Sequence, residues 1–296
     1  MELTDGYRRK VLDALFAQRA NFGGNDRAFA LSMDINPAVF SRLKKGERDG
    51  LLSDAKYLML GRAFQVVNKE RTLKLVQTDV FEIIKEEILF CKEYSKSRMF
   101  VDNAGIGKTV TARYMAKTEK NIFYIDGTQC KKKNTFIKAL ARVVGVPIKG
   151  TYDEIKDLTK YYLQALENPI VIVDEWGALD KDAFGLVQEY WNATENMCGW
   201  YLIGGNAARD KMNKGLVVDK EYFAEMFSRM SENYSTAIPT DETQQAFYNK
   251  LIRDVLEPNL KDKSLLNELV RKCMVKINGR PTGLRRAEAL LLLHDA

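Results

Sequence analysis

At 296 residues the chain has room for two domains, or one with appendages, and 46% hydrophobic with 29% charged residues suits a folded protein rather than a disordered one. No apolar run approaches the roughly 20 residues that span a bilayer, and the N-terminal stretch lacks a signal peptide's apolar segment, so a cytoplasmic protein without membrane partner is expected. The net charge of +6 permits a polyanionic partner, while one histidine (His294) and four scattered cysteines (Cys91, Cys130, Cys198, Cys273) leave little basis for a histidine triad, zinc site or disulfide framework.

Residues 7–67 read as short helices separated by NFGGN, DINP and KKGERDG, each carrying Gly, Asn, Asp or Pro, which end helices. Within them, residues 25–35 and 36–46 have the form of a helix-turn-helix. Ala30 is small where two helices cross, Ile35 is apolar in the turn, and Val39 and Leu43 point inward from a second helix that begins at Pro37. The unit resembles phage-repressor-type DNA-binding domains. That resemblance implies contacts to DNA from Ser41, Arg42, Lys44 and Lys45, with Arg48 just beyond; the alternative is a helical protein-interaction domain with a solvated basic face.

The polar stretch 68–78 reads as a hinge, with a boundary near Arg71. Beyond it, short apolar runs (RMFV, NIFYID, IVIVD, WYLIGG, YSTAI) alternate with longer amphipathic segments, the pattern of a parallel sheet covered by helices. After Pro239 the strands are expected to stop. Three helical segments, near 241–256, 264–274 and 281–293, then make a small lid. The expected organisation is therefore α/β, with an all-α unit over 1–71, a sheet core over 72–240 and a helical lid over 241–296.

The run Asp102-Asn103-Ala104-Gly105-Ile106-Gly107-Lys108-Thr109 follows a strand and opens a helix (TVTARYMAK) that begins at Thr109, the context that a phosphate loop needs. Glycines let backbone N–H groups from Asn103 to Val110 turn around phosphates, Lys108 reaches the β and γ phosphates of ATP, and Thr109 ligates Mg2+. The usual pattern opens with glycine; here Asp102 stands in that place, and its carboxylate has to point away from the phosphates.

A basic cluster, Lys131, Lys132 and Lys133, follows NIFYID. Ile170-Val171-Ile172-Val173 then runs into Asp174 and Glu175, as a central parallel strand ending beside the nucleotide would; Asp174 would hold Mg2+ through water and Glu175 would orient and polarise the attacking water. The run Trp200–Gly205 ends in Asn206, which is either a reader of the γ-phosphate lying between the two motifs or a plain helix N-cap. Lys211 and Lys214, expected in a loop after Asn206, are further candidates for DNA phosphates.

Strand, phosphate loop, acidic strand, polar strand end and helical lid, in this order, resemble an AAA+ ATPase over about residues 80–293. The resemblance implies an arginine acting across a subunit boundary, which falls on Arg229 in Phe227-Ser228-Arg229-Met230, and a lid arginine, which falls on Arg285 in Thr282-Gly283-Leu284-Arg285. It also implies that the lysines at 131–133 line the channel of a ring or filament. Both arginines have plainer alternatives, a surface ion pair and a basic helix cap.

A repressor-like unit directly before a compact AAA+ module is similar to the target-capture ATPases of the phage Mu B type. This likeness implies a homo-oligomer, ring or helical filament, that assembles with ATP on double-stranded DNA largely without sequence preference. It also implies delivery of that DNA to a transposase for DNA integration. The alternatives are a helicase loader or replication initiator, and a nucleotide-gated transcription regulator.

Overall fold

The computed structural model describes residues 3–20, 22, 24–64, 66, 73–218, 221–277, 280–281 and 283–295. The expected boundary at Arg71, residues 68–72 of the hinge, and Thr282 of the lid motif lie outside the described residues.

Four helices come first: α1 (Asp5–Ala20), α2 (Asp26–Ser32), α3 (Pro37–Lys44) and α4 (Asp54–Ala63). Side-chain oxygens of Asn25, Asn36 and Ser53 accept from backbone amides of the first turns of α2, α3 and α4, which is why the chain turns into helix at those points. Their shared core contains Leu15, Phe29, Ala30, Ile35, Phe40 and Leu43, all buried, with Val39 at its edge. The unit meets the rest of the chain where Phe22 stacks on Tyr162, ring centroids 6.1 Å apart, and where Asp34 pairs with Lys149 at 2.6 Å.

The sheet is built from β1 (Ser97–Val101), β2 (Ile122–Asp126), β3 (Ile170–Asp174), β4 (Gly199–Gly204) and β5 (Tyr234–Ser235) in the order β2-β3-β4-β1-β5, with every pairing parallel. Both faces are covered, so its strands are continuous apolar runs rather than alternating ones. Met99, Val101, Val171, Val173, Trp200 and Leu202 face one core with α7 (Lys133–Val144), α8 (Tyr152–Ala165) and α9 (Lys181–Ala193). Phe100, Ile170, Ile172, Tyr201 and Ile203 face the other, with α5 (Asp79–Glu93) and α6 (Lys108–Thr118).

Helices α10 (Asn206–Val217) and α11 (Glu221–Arg229) lead to β5, and the C-terminal unit holds α12 (Gln244–Asn259), α13 (Leu266–Cys273) and α14 (Leu284–Asp295) around Ile252, Leu256, Leu269, Val270, Ala287 and Leu291. The strands do not stop at Pro239 as expected. A two-stranded antiparallel hairpin, β6 (Lys276–Ile277) with β7 (Arg280–Pro281), precedes α14. Runs of two residues are too short to show the alternation by which a strand is read from sequence. All four cysteines are buried and none is in a disulfide, and among the described residues no helix is long and apolar enough to cross a membrane.

Candidate nucleotide site

Strand order places the chemistry. β4 lies between β1 and β3, so the segments leaving the C-terminal ends of these three strands converge on one edge of the sheet. The phosphate-loop residues follow β1, Asp174 ends β3 with Glu175 just after it, and Asn206 follows β4.

The loop's shape follows from its glycines. Gly107 has φ of 104°, a left-handed conformation that glycine adopts at little cost, and it caps α6 without a side-chain hydrogen bond, leaving the helix's first amides facing the loop. Lys108 is buried; its ammonium donates to the carbonyls of Asp102 (2.6 Å) and Asn103 (2.7 Å). Burial lowers its pKa, and Asp102, Glu175 and Asp174 act against that shift. Asn103, Gly105, Gly107, Thr109 and Val110 are partly exposed, Ala104 is exposed and Ile106 is buried in the core.

Asp102 does point away from the loop's interior. One carboxylate oxygen accepts from the amides of Ala237 (2.8 Å) and Ile238 (2.9 Å), and the other from the amide of Asn103 (2.7 Å). The side chain thus ties the start of the loop to the segment that leads from β5 into the lid.

Asp174 is buried; one oxygen accepts from the hydroxyl of Tyr124 (2.9 Å) and the other from the amide of Glu175 (3.0 Å). Glu175 has φ of 52°, an uncommon conformation for a residue with a side chain that ends the strand and turns the carboxylate out of the sheet. Its pKa is raised, first by desolvation and then by Asp174. Asn206 is not an N-cap: Gly205 occupies that position, and the Asn206 amide donates to the side chain of Asn103 at 2.8 Å.

The lid also reaches the loop. The amide of Leu284 donates to the carbonyl of Gly105 (2.7 Å), and Gly283 packs so closely that a Cβ there would lie 2.5 Å from that oxygen. Arg285, exposed in the first turn of α14, is near enough to bear on the charges of both Lys108 and Glu175.

Other candidate residues are placed elsewhere. Arg229, at the end of α11, donates to Asn192 (2.8 Å) and to the carbonyl of Glu225 (2.9 Å), and lies over the ring of Trp191. Lys211 and Lys214 are on α10, not in a loop, because the helix starts at Asn206 itself. The Lys211 ammonium is held by the carbonyls of Gly177 (3.0 Å) and Leu179 (2.6 Å), so it braces the chain after Glu175 rather than facing DNA; Lys214 is exposed.

Lys131, Lys132 and Lys133 are exposed where the chain enters α7. On α3, Ser41, Arg42, Lys44 and, just beyond it, Lys45 are exposed, with Arg42 paired to Glu47 (2.7 Å) and Lys44 to Asp26 (2.6 Å). Arg48 is exposed as well, but its guanidinium donates to the carbonyl of Leu43 (2.6 Å) and lies over Phe16.

Sequence reasoning missed Tyr124 and Tyr248, whose hydroxyls meet Asp174 and Asn103. Each reads as one more apolar residue in its own element, and only the fold brings it to the site.

The donor set suits a magnesium nucleotide. Thr109 and Asp174 offer hard oxygen ligands, and among the described residues no group of three or more His, Cys, Asp or Glu side chains could hold a metal by itself, so a cation here would share its ligands with phosphates.

Residues 98–212 match the family model of the AAA domain. Among solved structures, the chain is similar to the Aeropyrum pernix Orc1 protein in complex with DNA, with a TM-score of 0.52 and 17% identity over 74% of this chain; it spans 59% of that protein's length. No curated protein matches the sequence. With its parallel five-stranded sheet, the phosphate-loop segment after β1 and a helical region ahead of them, the chain has the AAA+ α/β fold.

Proposed function

We propose that the protein is an ATP-dependent DNA-binding ATPase that assembles on double-stranded DNA and presents it to a transposase. The observation that carries the ATPase part is the meeting, on one sheet edge, of the loop with Lys108 and Thr109, the acids Asp174 and Glu175, Asn206 and the start of the lid helix bearing Arg285.

In this reading, backbone amides from Ala104 to Val110 and the Lys108 ammonium hold the phosphates, the expected amide of Asn103 being taken instead by Asp102, and Thr109 and Asp174 would hold Mg2+, which when bound neutralises phosphate charge. Glu175 takes the proton of the attacking water, while Asn206 and Arg285 contact the γ-phosphate. Charge stabilisation by fixed groups is the main source of rate in such chemistry.

The Tyr124 hydroxyl orients the metal-holding carboxylate. Tyr124→Phe is expected to raise the Mg2+ concentration needed for half-maximal ATP binding by about three- to tenfold. A Mg2+ titration of nucleotide binding checks this, and an unchanged midpoint removes Tyr124 from the site.

DNA binding rests on the exposed basic face of α3 and on Lys131, Lys132, Lys133 and Lys214. The pairs Arg42–Glu47 and Lys44–Asp26 are exposed, and such pairs contribute only about 0–1 kcal/mol, so phosphates can displace them. Contacts of this kind are salt-sensitive and largely indifferent to sequence.

Arg229 is the residue that would complete a neighbour's site in a homo-oligomer. Arg229→Ala is expected to keep nucleotide affinity within about twofold while DNA-stimulated hydrolysis falls by about 10³-fold or more, the scale on which an arginine acting across a subunit boundary stabilises the transition state. Full hydrolysis by wild-type monomers that never assemble would rule this role out.

The likeness to Orc1, itself seen in complex with DNA, favours a second reading, a replication initiator or helicase loader. Electron microscopy with random-sequence duplex DNA separates the two. Filaments or stacked rings on DNA with ATP and not with ADP support target capture; discrete particles without DNA coating support the loader or a site-specific regulator.

A further inference from the structure

The ATPase reading leaves open what makes the site respond to the γ-phosphate, and a chain of side chains running from Asn206 into the lid bears on it. The amide nitrogen of Asn206 donates to the side-chain oxygen of Asn103 at 2.8 Å. The amide nitrogen of Asn103 in turn lies 3.0 Å from the hydroxyl of Tyr248 on α12 and donates to it. Three elements, the helix after β4, the phosphate loop and the lid, are therefore joined by two hydrogen bonds through one amide.

Each end of this chain is fixed by its surroundings. Tyr248 is buried, in the core that contains Leu251 and Ile238, and meets Phe247 edge-on at 5.8 Å. The backbone beside Asn103 is held by Asp102, whose carboxylate is anchored on Ala237 and Ile238 just ahead of the lid. A primary amide has an acceptor end and a donor end, and here the phenol takes the donor end of Asn103 while its oxygen faces Asn206.

We propose that Tyr248 is a positioning residue: through Asn103 it presets the Asn206 amide for the γ-phosphate, so that preference for ATP over ADP depends on the lid being seated. This rests on the ATPase reading above. Contacts to the α and β phosphates come from the loop backbone and Lys108 and do not pass through Tyr248, so the two nucleotides respond differently to its loss. Preorganised donors lose effectiveness when their orientation is released, even where the donor itself remains.

The test is the dissociation constants of Mg-ATP, as a non-hydrolysed analogue, and Mg-ADP for the full chain, its Tyr248→Phe and Asn206→Ala variants, and the double variant, with thermal unfolding as a check on folding. Tyr248→Phe keeps the ring and its packing. Its preference for the ATP analogue over ADP is expected to fall about three- to tenfold, with ADP affinity within twofold of wild type. Asn206→Ala is expected to produce a similar loss, and the double variant no more than the larger single loss.

Equal weakening of both nucleotides by Tyr248→Phe would reduce Tyr248 to a structural part of the lid and overturn the proposal. Unchanged preference, or additive losses in the double variant, would overturn it as well. A wild-type protein that binds neither nucleotide would overturn the ATPase reading and this inference together, whereas a wild-type preference insensitive to Tyr248 overturns the inference alone.

Discussion

Glu175→Gln is expected to lower ATP turnover by about 10²–10⁴-fold while nucleotide and DNA binding are retained. The substitution preserves the size of the side chain and its ability to hydrogen-bond, and removes only the carboxylate that accepts a proton. The left-handed backbone at Glu175, at the end of a strand whose every residue is buried, fixes where that carboxylate emerges.

The same residue predicts a pH dependence. Desolvation and Asp174 raise its pKa above the ordinary carboxylate value, and the protonated form is no base. Wild-type kcat/KM, which reports the free site, is therefore expected to fall on the acid side at a higher pH than an unshifted glutamate would give. Phosphate release across pH, beside a binding titration for the variant, measures both effects. Undiminished turnover in Glu175→Gln would take the residue out of its role.

Asp102→Gly is expected to destabilise the protein by about 2–4 kcal/mol, although it restores the glycine with which phosphate loops usually open. The carboxylate is buried and satisfies the amides of Ala237, Ile238 and Asn103. A buried donor left without a partner costs about 1–3 kcal/mol, and Ala237 and Ile238 would both lose theirs. Glycine also adds freedom to the unfolded chain.

Asp102→Asn, which keeps one acceptor and introduces donors where amides already point, is expected to fall between wild type and Asp102→Gly. Denaturant unfolding supplies the measurement. A midpoint for Asp102→Gly equal to that of wild type would mean that the lid segment is held by something else.

Much of the site was legible because its chemistry is local in sequence. A phosphate loop has to join a strand to a helix within a few residues, so Gly105, Gly107, Lys108 and Thr109 lie in one run. The strand ending in Asp174 and Glu175 is likewise readable, since a strand covered on both faces is apolar throughout until it reaches the edge where polar groups are useful. The burial of Ala30 and Leu43 was readable from helical periodicity, and that of Ile35 from an apolar residue standing in the turn between α2 and α3.

The misread residues are those whose meaning depends on partners distant in sequence. Lys211 and Arg48 count as available cations in a sequence, yet the fold directs their charges onto carbonyls of residues 177, 179 and 43. For Asn206 the sequence left a helix cap as the alternative to a phosphate reader, and only the fold gives the cap to Gly205 and the amide to Asn103.

The sequence by itself determined the strand-and-helix alternation, the phosphate loop and the acids, because backbone geometry and apolar periodicity act over neighbouring residues. Only the tertiary structure decided that β4 lies between β1 and β3, that Asp102 anchors the lid segment, and that Tyr124 and Tyr248 face the site. Strand order and hydrogen bonds between residues as far apart as 103 and 248 are set by how whole layers pack, and no local pattern encodes them.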